Sequence, residues 1–145
     1  MKNTHKITAF ILFAAALAMM GCKKDKLTSS EILTAGTCWK MVLLEGYDTA
    51  NSLWVSVPIE ACTADNCFVF NADQTLIVEE GLTKCDPADA QSSKGSWSLS
   101  EDERKLSMSD DGDTQVGDII ELISGKLVYE TALDDAKFRL TFKAD

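Results

Sequence analysis

From Gly36 to the end of the chain, apolar and polar residues alternate with a period of two. That period marks strands with one dry and one wet face. "CWKMVLL" sets Trp39, Met41 and Leu43 opposite Cys38 and Lys40. "CFVFN" pairs Phe68 with Phe70, and "TLIVE" pairs Leu76 with Val78. "GSWSLS" sets Trp97 and Leu99 against serines, and "KLSMS" sets Leu106 and Met108 against Lys105 and Ser107. "DIIELIS" pairs Ile120 with Leu122 opposite Glu121, "KLVYE" pairs Leu127 with Tyr129, and "KFRLTFK" aligns Phe138, Leu140 and Phe142. Eight strands with one solvated face each are what antiparallel sheets allow.

The connections "NADQ", "SEDER", "DDGDTQVG", "SG" and "DDA" are short and turn-like, which suits hairpins between sequential strands. Two connections are longer, Glu45 to Asn66 and Gly81 to Lys94. Eight sequential antiparallel strands sharing a dry face predict an all-β, eight-stranded up-and-down barrel, closed so that no edge remains. An open two-sheet sandwich is the alternative. Ahead of the strands, "TSSEILTAG" places Thr28 and Glu31 at capping-box spacing, with Gly36 as a stop. This predicts one short N-terminal helical turn, too brief to pack as a helix.

The beginning of the chain follows a different pattern. Ile7 to Met20 is a largely apolar run of 14 residues behind Lys2, His5 and Lys6. A bilayer span needs about 20, so the run reads as a secretory signal. It ends in Met19-Met20-Gly21-Cys22, which resembles the box closing bacterial lipoprotein signals, with Met19 for the usual Leu and Met20 for a small residue. The resemblance implies lipidation of Cys22, and several acyl chains anchor a protein stably to a membrane. The expected organisation is residues 1–21 as signal peptide, 22–29 as lipidated tether and 30–145 as the barrel domain. Lys23 in place of Asp after Cys22 implies, by the same likeness, an outer-membrane anchor facing the periplasm or the cell surface. "KKDK" resembles the charged export signals of Bacteroidota surface lipoproteins, with one acid where they carry two or more.

Charge narrows the partners. The net charge is −9, and removing the first 21 residues, with two lysines and no acid, makes it −11. That balance argues against nucleic acid and against anionic membrane surfaces. Membrane contact is expected through the lipid on Cys22.

Four cysteines follow Cys22: Cys38, Cys62, Cys67 and Cys85. An even count in an exported chain reads as two disulfides. A turn at Ala72-Asp73-Gln74 puts Phe70 opposite Leu76 and Cys67 opposite Glu79. Cys62 then comes within bridging range of Cys85. Cys67 and Cys85 would be separated by about six strand residues, roughly 20 Å, far beyond the bridging limit of about 7 Å. Two connectivities remain: Cys62–Cys85 with Cys38–Cys67, or Cys62–Cys67 with Cys38–Cys85.

Other chemistry finds few parts. The single His, His5, lies in the expected signal peptide and is absent from the mature chain, and the cysteine spacings lack the Cys-x-x-Cys hairpins of zinc sites. An EF-hand read from Asp111 meets Val116 where Gly is needed and Leu122 where Glu is needed. Without His no Ser-His-Asp or Cys-His arrangement can form, and no two of the 23 acids stand out as a glycosidase pair. Neither metal nor cofactor nor catalysis is expected.

"GTCWKMV", "CTADNCFVFNADQTLIVEEGLTKCDPAD", "GSWSLSEDERKLSM" and "IIELISGKLVY" together resemble the lipocalin-like lipoproteins of Bacteroidota. Those chains carry a Gly-x-x-Trp-Lys opening strand, a Cys-x-x-Asp-Asn segment, a Phe-Asn-x-Asp-Gly hairpin, a Lys-Cys-Asp-Pro loop and a Gly-x-Trp strand. The likeness runs in order over about residues 34–131. It implies a small lipocalin-type barrel closed by a short N-terminal turn, and little about activity. It also implies a Cys62–Cys85 bridge, which leaves Cys38–Cys67 as the second pair. This chain has Gln74 where the hairpin usually has Gly, at a position expected to need left-handed backbone, a cost on the order of 1 kcal/mol.

The interior then carries the functional question. Trp39, Phe68, Phe70, Trp97, Tyr129, Phe138 and Phe142 converge on one small barrel. They either line a pocket for a small apolar ligand or fill the barrel, since eight strands leave room for side chains or one small ligand. Their bulk favours filling. The expected function is therefore a lipid-anchored, non-enzymatic scaffold or interaction module of the cell envelope, its protein partner unnamed. The alternative is a binding protein for a small hydrophobic ligand, with no buried Lys or Arg to attract an anionic head group.

Overall fold

The computed structural model describes residues 26–145 apart from Asp111. Cys22 and the apolar run before it lie outside the described residues. Helix α1 (Ser29–Ala35) leads into β1 (Trp39–Asp48), β2 (Leu53–Val57), the one-turn helix α2 (Ala61–Ala64), β3 (Cys67–Phe70) and β4 (Thr75–Glu79). Then follow β5 (Ser92–Leu99), β6 (Lys105–Asp110), β7 (Asp113–Ile123), β8 (Lys126–Leu133) and β9 (Ala136–Ala144). All eight expected strands are present, and the β9–β1 pairing closes them into an antiparallel barrel. A ninth strand, β2, lies in the long connection after Glu45 and folds back on the far half of β1. Its turn is built by Asp48, whose Oδ1 accepts from the Ala50 amide at 2.9 Å.

The hairpin register follows the expected one, with Phe70 opposite Leu76 and Cys67 opposite Glu79. Gln74 adopts a φ of 66°, the left-handed conformation that Gly would supply without strain.

Three expectations need correction. First, α1 packs. Its capping box forms as spaced, with Thr28 Oγ1 accepting from the Glu31 amide and Glu31 Oε2 from the Thr28 amide. Leu33 is wholly buried, and its carbonyl accepts from Trp39 Nε1 at 2.9 Å. A plug across a barrel end needs only one turn's apolar face, so brevity does not prevent packing.

Second, the alternation slips at two β-bulges. One falls between Met41 and Leu43, turning Val42 and Leu43 outward, the other between Ile119 and Glu121, turning Ile119 inward and Ile120 outward. An extra residue on one strand shifts everything after it by one position, which a strict period of two cannot register. Third, most of "DDGDTQVG" is strand. β6 runs to Asp110 and β7 starts at Asp113, and these two residues pair directly.

Where the barrel joins β1 to β3, the ladder has a single residue pair, Trp39 with Phe68. The Cys38–Cys67 disulfide, with Cα atoms 5.2 Å apart, staples that seam.

Candidate functional site

Sequential antiparallel strands send alternate turns to opposite ends. The β3–β4, β5–β6 and β7–β8 turns share one end with α1. Ser29 Oγ donates to Glu103 Oε2 of the β5–β6 turn at 2.8 Å, and Ile32 and Ala35 border Ser124 and Gly125 of the β7–β8 turn. This end is filled. Leu33, Trp39, Leu106, Leu127 and Phe142 are essentially removed from solvent. Phe70 and Trp97 meet edge to face, with ring centroids 5.6 Å apart, and Trp97 Nε1 donates to the Asn71 carbonyl at 2.9 Å.

The opposite end, carrying the β4–β5, β6–β7 and β8–β9 connections, holds a cavity of about 600 Å³. Its apolar wall comes from Phe68, Leu76, Val78, Met108 and Leu133, and its polar wall from Asp110, Asp113, Thr114 and Gln115. Asp110, Asp113 and Gln115 reach the interior by simple periodicity. Leu106 and Met108 point into the core, so Asp110, two further along β6, shares their face. Asp113 and Gln115 lie directly opposite Asp110 and Met108, and directly opposed residues share a face. On β5, Ser93 and Gly95 precede the buried Trp97 on the same side, and Ser93 Oγ donates to Asp110 Oδ2 at 2.7 Å. A β-carbon on Gly95 would overlap the Ser109 carbonyl oxygen, so glycine is what lets β5 and β6 approach here.

Of the seven aromatics expected inside, Phe68 lines the cavity. Trp39, Phe70, Trp97, Tyr129 and Phe142 belong to the packed core, while Phe138 is half-buried near Gly46. Burial pushes the Tyr129 phenol up to about 12, and its hydroxyl has no hydrogen-bond partner among the described residues. Sequence reasoning passed over Asp110, Asp113 and Gln115 because they fall in "DDGDTQVG", whose acidic start suggested a turn. The signal available was the unbroken period of Leu106, Met108 and Asp110.

The second disulfide, Cys62–Cys85 with Cα atoms 5.1 Å apart, ties α2 to the β4–β5 connection. Glu60 approaches these two sulfurs, but bonded to each other they offer no thiolate to a metal. The adjoining Asp65-Asn66 pair serves the same connection. Asp65 Oδ2 accepts from the amides of Leu82 and Thr83 at 2.7 and 3.1 Å, and Asn66 Oδ1 from the Gly81 amide at 3.3 Å. The Cys-x-x-Asp-Asn segment is thus a fastening for the rim of the open end.

No curated protein matches this chain. The family model for the lipocalin-like domain matches residues 34–129, which takes in the strands from β1 to Tyr129 of β8 and includes most of the cavity wall. With a closed antiparallel barrel, a helix plugging one end and a cavity at the other, the chain belongs to the lipocalin-like domain family.

Proposed function

We propose that this chain is a lipid-anchored, non-enzymatic binding protein of the cell envelope that holds a small, largely apolar ligand in the open half of its barrel. The observation that carries this reading is the division of the interior. The aromatic bulk expected to fill the barrel is concentrated toward the plugged end, and about 600 Å³ remains at the other. That volume falls within the range typical of small-molecule sites, about 300–1,000 Å³, and its mixture of apolar wall and few polar groups is their usual composition. Lipidation of Cys22 and attachment to the outer membrane rest on the signal-like residues that precede Cys22. The non-enzymatic reading is supported by the single His lying in that signal and by the pairing of Cys38, Cys62, Cys67 and Cys85 in disulfides.

Native mass spectrometry of the protein extracted from its own membranes tests both parts. The expected species begins at Cys22, carries a diacylglyceryl and an N-acyl adduct, and loses a small noncovalent molecule on collisional heating. A chain cut elsewhere with a free thiol at Cys22 overturns the anchor. An empty barrel that also refuses added alkyl alcohols and amines overturns the binding role.

A further inference from the structure

We propose that the ligand carries a protonated amine, and that Asp110 is the residue that selects it. This deepens the preceding reading and rests on it. Asp110 is the inward residue at the end of β6, among Phe68, Val78 and Met108 in the cavity wall. Its carboxylate is half satisfied: Oδ2 accepts from Ser93 Oγ at 2.7 Å, while Oδ1 is buried and has no partner among the described residues. A buried acceptor without a donor is costly, more so when it is charged.

The usual remedy is a neighbouring cation, and none is provided among the described residues. The described residues of the cavity wall include no Lys, Arg or His. The ion pairs of the described residues, Lys40–Asp145, Lys105–Asp118, Lys126–Glu121 and Arg139–Glu130, all lie elsewhere. Asp113, paired opposite Asp110 across the hairpin, adds a second carboxylate to the same wall.

An ammonium group on an apolar body answers both features at once. A small rotation of the Asp110 carboxyl about its terminal torsion, which is soft, presents Oδ1 to an N–H donor while the body lies against Phe68, Val78 and Met108. Charge-assisted hydrogen bonds of this kind are roughly twice as strong as neutral ones. An anionic amphiphile would instead bring a third negative charge beside two existing ones.

Isothermal titration of the protein with dodecylamine, dodecanol and dodecanoate, each below its micelle concentration at neutral pH, provides the test. The amine is expected to bind at least about tenfold more tightly than the other two. Asp110→Asn should remove that advantage and leave dodecanol binding within about twofold. Glu101→Gln, the same charge change in the β5–β6 turn at the plugged end, should keep the advantage. Equal affinity for the three probes overturns the proposal while leaving a binding cavity. Equal losses in Asp110→Asn and Glu101→Gln also overturn it, since the preference would then be a long-range effect of net charge. Failure of all three probes to bind removes the cavity reading and this proposal together.

Discussion

The two ends of this barrel are built from the same strands under opposite rules. At the plugged end nearly every inward side chain is hydrocarbon, and the indole N–H groups of Trp39 and Trp97 each reach a carbonyl at 2.9 Å. At the open end the strands run past the core and turn polar: Ser93 beyond Trp97, Asp110 beyond Met108, Asp113 and Gln115 beyond Gly117. There the Asp110 carboxylate keeps one oxygen unpaired. Polar groups that are left wanting are tolerable only where the structure does not depend on them, so stability and recognition are placed at separate ends.

The largest expected effect breaks the comparison at its strong end. Trp39→Ala removes a wholly buried ring and orphans the Leu33 carbonyl, and should cost about 3–5 kcal/mol. Val78→Ala, on the half-buried cavity wall, should cost about 1 kcal/mol. Denaturant midpoints of the two variants measure the contrast. Similar losses would mean that the open end is as much a part of the core as the plug.

The disulfides sharpen the same contrast. Replacing Cys38 and Cys67 by Ser should cost about 2–4 kcal/mol and raise hydrogen exchange through β1 and β3, because their seam has one ladder pair besides the bridge. Replacing Cys62 and Cys85 should confine faster exchange to α2 and residues 80–91. There Asp65 and Asn66 still hold the amides of residues 81–83. Exchange spreading from the second pair into the plugged half would show that the ends are not independent.

How far the sequence reached divides along the same line. Much of the plugged half was legible because β3, β4, β5 and β6 keep a strict period of two and the turns there carry Asn, Asp and Gly, so the register of β3 on β4 follows from one turn. The bulges at Val42–Leu43 and Ile119–Glu121 were not legible, since an inserted residue looks like continued apolar sequence. β2 was hidden in a connection that reads as a loop, and it pairs on one side with β1 alone. The cavity wall was hidden for a different reason. Residues that recognise a ligand depart from the pattern of a core, so Asp110 and Asp113 looked like a solvated turn.

The last prediction concerns Tyr129, whose place on β8 falls between the packed Leu127 and the cavity-lining Leu133. It is wholly buried, yet its hydroxyl makes no hydrogen bond of good geometry among the described residues; the Thr131 side chain is near enough to hold back the rise of its pKa but donates its own proton to the Val116 carbonyl. Burial lifts its phenol from 10.0 to about 12, because the phenolate would be formed away from water. An unfolded chain therefore loses this proton near pH 10 while the folded chain keeps it until near pH 12. The contribution to stability is complete below pH 10 and declines as pH rises toward 12. Tyr129→Phe removes the unpaired hydroxyl without changing the ring. It should gain about 1 kcal/mol at neutral pH and flatten the decline of the melting temperature between pH 10 and 12. Tyr47→Phe, on the β1–β2 hairpin against Trp54, is the control and should leave that decline in place. A loss of stability at neutral pH in Tyr129→Phe would mean that the hydroxyl is bonded in solution, and that Tyr129 is no exception to the satisfied core.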